Sequence, residues 1–289
     1  MKKLIILIPL FNDWKSASKL LNEIDLQIIS WNVEVSVIIV NDASTEERSG
    51  LESNYKKIKS VKILNMKENK GHTRCIAAGL KYICKNEDFD RIIVMDGDGE
   101  DRPEELNSFF QKAQENPNMT ITGNRLKRSE GYIFRILYEV HKLLTFIFTG
   151  ELIKFGNFTC LPKNHVEKLI KESYLWNSYS GSVVRAINNR TFIPSMRGPR
   201  YVLPSKMNFF GLVLHSLAII SVFRNVVIIR SAIFFLLYLF LIFNNLSIFN
   251  FIPMLFLLVF VLVILKISKR SNMKVLDKSL DNIGSVDTL

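Results

Sequence analysis

The 289-residue chain contains no Gly-x-Gly-x-x-Gly segment and no glycine-rich loop ending in Lys-Ser or Lys-Thr. Their absence removes the usual backbone cradles for dinucleotides and for the phosphates of P-loop enzymes. Cysteine is scarce: Cys75, Cys84 and Cys160 match no metal-ligand spacing and cannot all pair. They read as reduced thiols facing the cytoplasm. Acidic residues are scarce in one half only. Residues 131–289 carry 18 Lys+Arg against 7 Asp+Glu, whereas residues 1–130 carry 20 of each. The net charge of +11 therefore lies beside the long apolar runs. That placement points to a membrane surface and phosphate ligands, and away from nucleic acid. The start, Met1 to Ile8, is charged and then apolar like a leader. The run is short, however, and Pro9, Asn12 and Asp13 break it without a small-residue cleavage site, so it reads as a first strand.

What is present is organised around Met95-Asp96-Gly97-Asp98-Gly99-Glu100-Asp101-Arg102-Pro103. The apolar run Ile92-Ile93-Val94 before it has the composition of a strand buried on both faces. Pro103 suits the first turn of a helix, where its missing N–H costs nothing. Four carboxylates thus fall in a short loop at the carboxyl end of a strand, where open α/β sheets bind ligands. Crowded carboxylates need a cation, and hard oxygen ligands select Mg²⁺ or Mn²⁺. The alternative is a solvated acidic turn. Earlier in the chain, apolar strands at 4–8, 35–40 and 61–66 alternate with helices, the pattern of a doubly wound, mostly parallel sheet. Polar groups gather at four strand ends: Asn12 and Asp13, Asp42 and Ser44, Asn69 and Gly71, Asp96 and Asp98. Asp42 is a candidate acceptor for a base or ribose, or a helix cap. Gly71 lets a ligand approach the backbone closely.

Residues 3–125 resemble the catalytic domain of family 2 glycosyltransferases, the GT-A fold. The resemblance rests on Ile8-Pro9-Leu10-Phe11-Asn12, Val40-Asn41-Asp42-Ala43-Ser44, Asn69-Lys70-Gly71 with Ala78-Gly79-Leu80, and Asp96-Gly97-Asp98, in that order. It implies a donor nucleotide site at Pro9, Leu10, Asn12, Asp42, Ser44, Asn69, Gly71 and Asp96. It also implies a divalent metal, Mg²⁺ or Mn²⁺, on Asp96, Asp98 and Glu100. The Gln-x-x-Arg-Trp segment of processive members is absent.

The second half supplies amphiphilic and apolar segments. Residues 132–149 form an amphipathic helix, packed on the domain core or lying in the bilayer interface. Residues 208–223 are mostly apolar but carry His215 and Ser216, and are expected to form a second interfacial helix. Residues 226–243 and 251–267 each approach the length that spans a bilayer, about 20 residues. Arg230, within the first span, lies close enough to its end to snorkel. Basic flanks on both outer sides predict a hairpin, residues 226–267, with both ends in the cytoplasm. The polar tail 268–289 lacks aromatic residues and is expected to be disordered. Arg125, Arg128, Arg197, Arg200 and Lys206 can clamp a phosphate or attract anionic headgroups; charge alone leaves both readings open.

Gly123-x-Arg125, Gly156-Asn157-Phe158 and Arg200-Tyr201 before Ser205-Lys206 are similar to segments of the polyisoprenyl-phosphate glycosyltransferases. In that group the position of Glu100 is commonly Gln, and the Phe158-Thr159 pair is commonly Phe-Arg. The resemblance implies an inverting, metal-dependent transfer of sugar from a nucleotide diphosphate to a lipid phosphate. Asp98, Arg125, Arg128, Arg200 and Lys206 would be the catalytic groups, in a domain spanning residues 1–207. Two other readings stand beside it. One is transfer to a hydroxyl of a lipid-linked glycan, with Asp101 or Glu104 as base. The other is a membrane-bound sugar-nucleotide binding protein without turnover. A homo-oligomer is compatible with all three.

Overall fold

The computed structural model describes residues 1–51, 54–127, 132–202, 209–244 and 247–289, with backbone alone at 127 and 132–138. Five strands come first in the chain: β1 (Lys3–Leu10), β2 (Glu34–Asn41), β3 (Ile58–Met66), β4 (Arg91–Val94) and β5 (Thr120–Lys127). Three more complete it: β6 (Thr159–Pro162), β7 (Arg190–Met196) and β8 (Ile283–Thr288). Among the described residues they form one sheet in the order β7-β5-β6-β4-β1-β2-β3-β8. The pairs β1–β2, β1–β4, β2–β3 and β5–β7 are parallel, while β4–β6, β5–β6 and β3–β8 are antiparallel.

The alternation of side chains along each strand divides the core between two faces. Leu4, Ile6, Ile8, Val37 and Ile39 face α1 (Trp14–Gln27) and α3 (Leu106–Glu115). Ile5, Leu7, Ile38 and Val40 face α2 (His72–Asn86), with α5 (Lys163–Leu169) and α6 (Tyr179–Ala186) covering the rest. Both faces are dry, which is why β1 reads as an unbroken apolar run. Each fully buried Leu or Ile contributes about 1.5–3 kcal/mol of transfer free energy. Gly79 lets α2 sit down on the sheet: a Cβ there would lie 2.5 Å from Leu7 Cδ1 and 2.9 Å from Val40 Cγ2.

The apolar segments form α4 (Tyr132–Thr149), α7 (Phe209–Ser221), α8 (Arg224–Ile242) and α9 (Ile252–Ser268). Two helical stretches, containing α8 and α9, are long and apolar enough to cross a membrane. They expose large apolar side chains, including Phe240 and Leu241 on one and Leu255 and Phe256 on the other. Arg230 of α8 reaches the end of α4. Its guanidinium donates to the carbonyls of Phe146 (3.1 Å) and Ile147 (2.9 Å) at the end of α4. A cation on terminal carbonyls is favoured by the helix dipole. Phe148 stacks obliquely on Phe260, ring centroids 4.4 Å apart, so the end of α4 packs against the hairpin helices.

The tail departs from expectation. Residues 268–289, expected to be disordered, fold into α10 (Met273–Asp277) and β8, which closes the sheet edge against β3. The physical reason is the uncovered edge of β3. A short polar strand can supply its missing hydrogen bonds without needing the apolar content on which a disorder judgement rests.

Candidate active site

The sheet order reverses at β1, which lies between β2 and β4. The crevice beyond the carboxyl ends of such strands is where a ligand sits. The acidic loop leaves β4 there, with the Met95 amide donating to Leu7 O (3.1 Å) and Gly97 lying against Ile8 and Pro9. Asp96 is the hub. Its Oδ1 accepts from Asn157 Nδ2 (2.9 Å) and lies 3.1 Å from His72 Nε2, while Oδ2 is 3.8 Å from Arg197. Arg197 also pairs closely with Glu100. Arg200 lies 3.0 Å from Asp98 and 3.4 Å from Glu100. Asp101 turns inward, 4% exposed, and its Oδ2 accepts from the Asp96 amide at 2.9 Å.

The segment Arg197–Tyr201 is bound to the acidic loop by backbone as well as charge. Gly198 N donates to Glu100 O (3.0 Å) and Tyr201 N to Asp98 O (2.9 Å). Gly99 has φ +85°, a left-handed conformation that favours glycine. A Cβ there would also fall onto the Tyr201 ring. The Tyr201 hydroxyl in turn donates to Glu23 of α1.

Charges in this cluster shift one another. Burial, then the neighbouring Asp96 charge, pushes the Asp98 carboxyl up to about 6. The same two causes push Asp101 up to about 7. Burial opposes ionisation of Asp96, but His72, Arg197 and Asn157 outweigh it and hold the carboxyl well below the usual range. Burial likewise opposes the charge on His72, yet Asp96 raises its pKa overall.

Beside the cluster, two loops close the ends of β1, β2 and β3. Asp42, 3% exposed, accepts from the amides of Lys70 (2.7 Å) and Gly71 (2.8 Å). Ser44 Oγ accepts from the Asn12 amide (2.8 Å), and Asn12 Oδ1 accepts from Thr45 N (2.7 Å) and Glu46 N (3.1 Å). These bonds hold Asn12 at φ 48° and bring Pro9, Leu10, Asn12, Asp42, Ser44 and Gly71 to one edge of the sheet. Asn69 is exposed at the loop tip. Arg125 lies against Gly156, and its amide donates to Lys154 O (2.9 Å). Arg128 and Lys206 fall outside the described residues. His72, Asn157 and Tyr201 were not singled out as site residues from sequence. The available signals were position, with His72 opening α2 beside Gly71, and, for Asn157 and Tyr201, membership of the segments Gly156-Asn157-Phe158 and Arg200-Tyr201.

Among the described residues no three acidic, histidine or cysteine side chains converge on a common point. Arginine instead supplies the countercharge in this arrangement. The donor chemistry still fits a hard divalent cation: Asp96, Asp98 and Glu100 are carboxylates on one loop, all facing the same two guanidinium groups.

A mostly parallel sheet with helices on both faces, and a carboxylate loop at its switch point, is the architecture of the GT-A nucleotide-sugar-binding fold. Solved structures agree. Glucosyl-3-phosphoglycerate synthase from Mycobacterium tuberculosis, in complex with Mn²⁺, UDP-glucose and phosphoglyceric acid, superposes with a TM-score of 0.56. It is 11% identical, over 78% of this chain and 80% of that one. Mannosyl-3-phosphoglycerate synthase from Rubrobacter xylanophilus gives a TM-score of 0.54 at 11% identity, over 76% and 72%. The sequence profile of glycosyl transferase family 2 matches residues 5–178, and the chain belongs to that family. Among curated relatives, an undecaprenyl-phosphate 4-deoxy-4-formamido-L-arabinose transferase of Klebsiella pneumoniae is 23% identical over 223 residues, 73% of this chain. An uncharacterized glycosyltransferase of Synechocystis is 22% identical over 224 residues. The matches span 64% and 66% of those relatives' lengths.

Proposed function

We propose that the chain moves a sugar, with inversion at the anomeric carbon, from a nucleotide diphosphate donor to a polyisoprenyl phosphate at the membrane surface. One observation carries this reading: the acidic loop and the apolar helices share neighbours. Asp96 is bonded to Asn157, which lies in the segment that follows α4, and α4 packs on α8 and α9. His215 of α7 lies within electrostatic reach of Asp96, His72 and Arg125. A lipid-borne acceptor and a soluble donor would meet there.

Pro9, Leu10, Asn12 and Ser44 would line the nucleotide, with Asp42 holding the Lys70–Gly71 backbone in place. Asp96, Asp98 and Glu100 would hold Mg²⁺ or Mn²⁺, whose charge stabilises a departing diphosphate. Arg197 and Arg200 now neutralise those carboxylates, and in the loaded site they would turn to phosphate oxygens. A lipid monophosphate has a second pKa near about 6 and arrives ionised at neutral pH. It needs cations rather than a base, and Arg125 and Arg200 supply them. A hydroxyl acceptor would need a base within reach of its proton. Asp101 already accepts from the Asp96 amide and Glu104 lies 3.4 Å from Arg102, so the two candidate bases both have partners in this arrangement. Basic flanks of the hairpin favour a cytoplasmic catalytic domain.

The test is to incubate membranes holding the full chain with labelled sugar nucleotides, then extract lipid. Label should enter an acid-labile lipid fraction and vanish in Asp98→Ala. Transfer surviving both Asp98→Ala and thorough chelation would overturn the metal assignment. Label in an acid-stable glycan would move the acceptor to a hydroxyl, and donor binding without any transfer would make the chain a binding protein.

A further inference from the structure

The C-terminal strand does more than close an edge. Asn65 of β3 stands opposite Ser285 of β8 and beside Asn41 of β2, so its side chain reaches both neighbours. Its Nδ2 donates to Ser285 Oγ (3.0 Å) and Asp287 Oδ2 (3.1 Å). Its Oδ1 accepts from Asn41 Nδ2 (2.9 Å), and Asn41 Oδ1 accepts from the Ser44 amide (3.0 Å). Ser44 then holds Asn12. A chain of hydrogen bonds therefore runs from β8, across the antiparallel neighbour β3 and the parallel strand β2, to the loops that flank the nucleotide edge. Arg48, on the continuation of the same loop, pairs with Asp287 at 2.9 Å.

The second loop is held from the same tail. Lys67 N donates to Asn282 O (2.7 Å), Lys67 Nζ to Asp281 O (2.8 Å), and Asn282 Nδ2 to Glu68 O (3.1 Å). Just beyond, Lys70 and Gly71 are tied to Asp42. Both loops at the donor edge are thus fastened to a segment that starts where α9 ends. Asn12 and Ala43 sit at φ 48° and 55°, conformations uncommon for residues with side chains. Such backbone persists when its surroundings over-determine it.

We infer that residues 281–289 position the two donor loops, with Asn65 and Asp287 as positioning residues that never touch the donor. The inference rests on the sugar-transfer reading for its consequence but not for its geometry. Binding by pre-formed loops avoids the cost of ordering them on contact. Loosening them should therefore weaken donor binding and leave the chemical step alone.

The experiment compares the full chain in detergent with Asn65→Ala, Asp287→Ala and Asp287→Asn. Hydrogen exchange is followed in peptides covering residues 41–46, and donor kinetics are measured alongside. Asn65→Ala should raise exchange at the Ser44–Glu46 amides by about tenfold, as one lost hydrogen bond with an orphaned partner predicts. Donor KM should rise by about five- to tenfold, with kcat within about twofold. Asp287→Ala should behave likewise. Asp287→Asn should remain near the parent, because its amide oxygen still accepts from Asn65. Parent-like exchange in both alanine variants would overturn the inference. So would faster exchange spread evenly over β1 to β3, or a raised exchange rate with donor KM unchanged. If the parent uses no nucleotide sugar while loop exchange still responds, the sugar-transfer reading falls and the coupling of tail to loops stands.

Discussion

Arg197 offers the sharpest test of how the acidic loop is held. Its guanidinium pairs with Glu100 and lies 3.8 Å from Asp96, and all three side chains are between 13% and 15% exposed. Arg197→Ala would leave two carboxylates facing each other without that countercharge. Removing one partner of a buried ion pair costs about 3–5 kcal/mol. Here Arg200 and His72 remain within reach and the site is not fully closed, so about 2–3 kcal/mol is the expected loss. For a folded unit of this size that is an apparent melting temperature lower by about 5–10 °C. The measurement is a thermal melt of the detergent-solubilised chain in excess chelator, repeated in saturating Mn²⁺. A divalent cation among Asp96, Asp98 and Glu100 replaces the missing charge, so the gap between variant and parent should shrink to about 2 °C or less. Equal destabilisation with and without Mn²⁺ would refute the idea that arginine and metal compete for one set of carboxylates.

Two further outcomes follow from the same geometry. Asp98 and Asp101 carry raised pKa values, about 6 and about 7, against about 3.9 in an unfolded chain. Between those limits the folded state holds protons that the unfolded state has lost. The chelated protein should therefore lose stability as pH rises from about 5 to about 7.5. Mn²⁺ binds the ionised forms, so the stabilisation it confers should grow over that interval; a metal effect independent of pH would contradict the assignment. Asp42→Asn sets an amide NH₂ against one of two backbone N–H donors and loses a charge-assisted bond, about 1.5–3 kcal/mol. Donor affinity should fall by about tenfold or more, with faster exchange of the Lys70 and Gly71 amides. Normal exchange with lost affinity would mean that Asp42 acts on the nucleotide directly.

The sheet was legible because its strands are buried on both faces, so apolar runs such as Leu4–Ile8 and Ile92–Met95 have no competing explanation at that length. The acidic loop was legible because carboxylates at alternating positions after such a strand are seldom left unbalanced. The partners of that loop were not. Asn157 and Tyr201 fall in segments that carry the family resemblance, but nothing local marks what they touch, since they reach Asp96 and the Gly99 region only after the chain has folded back from α4 and β7. Asp25 is a similar case. It accepts from the amides of Lys56, Lys57 and Ile58, each at 2.8 Å, a long-range cap on the start of β3 that looks like an ordinary helix-surface acid. The tail was misjudged because composition reports whether a segment can build a core, and β8 only needs to borrow an edge. The partners of Arg230 were illegible for a related reason: they are carbonyls of another helix, and backbone acceptors leave no trace in side-chain patterns.

The placement of β8 also bears on how the molecule is made. Ribosomes deliver chains from the N-terminus, and domains generally fold as units during synthesis. Here β3 emerges early, whereas the strand that covers it comes at residues 283–288, after both long apolar helices. Throughout that interval the nascent sheet carries an open edge of unpaired N–H and C=O groups, which is the usual template for mispairing. β3 carries Lys59 and Lys62, with Lys67 just past its end, the kind of charge that discourages such pairing. Completion of the sheet is then a late event that follows delivery of α8 and α9. A chain stalled or clipped before residue 283 would be left with β3 uncovered and its sheet unfinished.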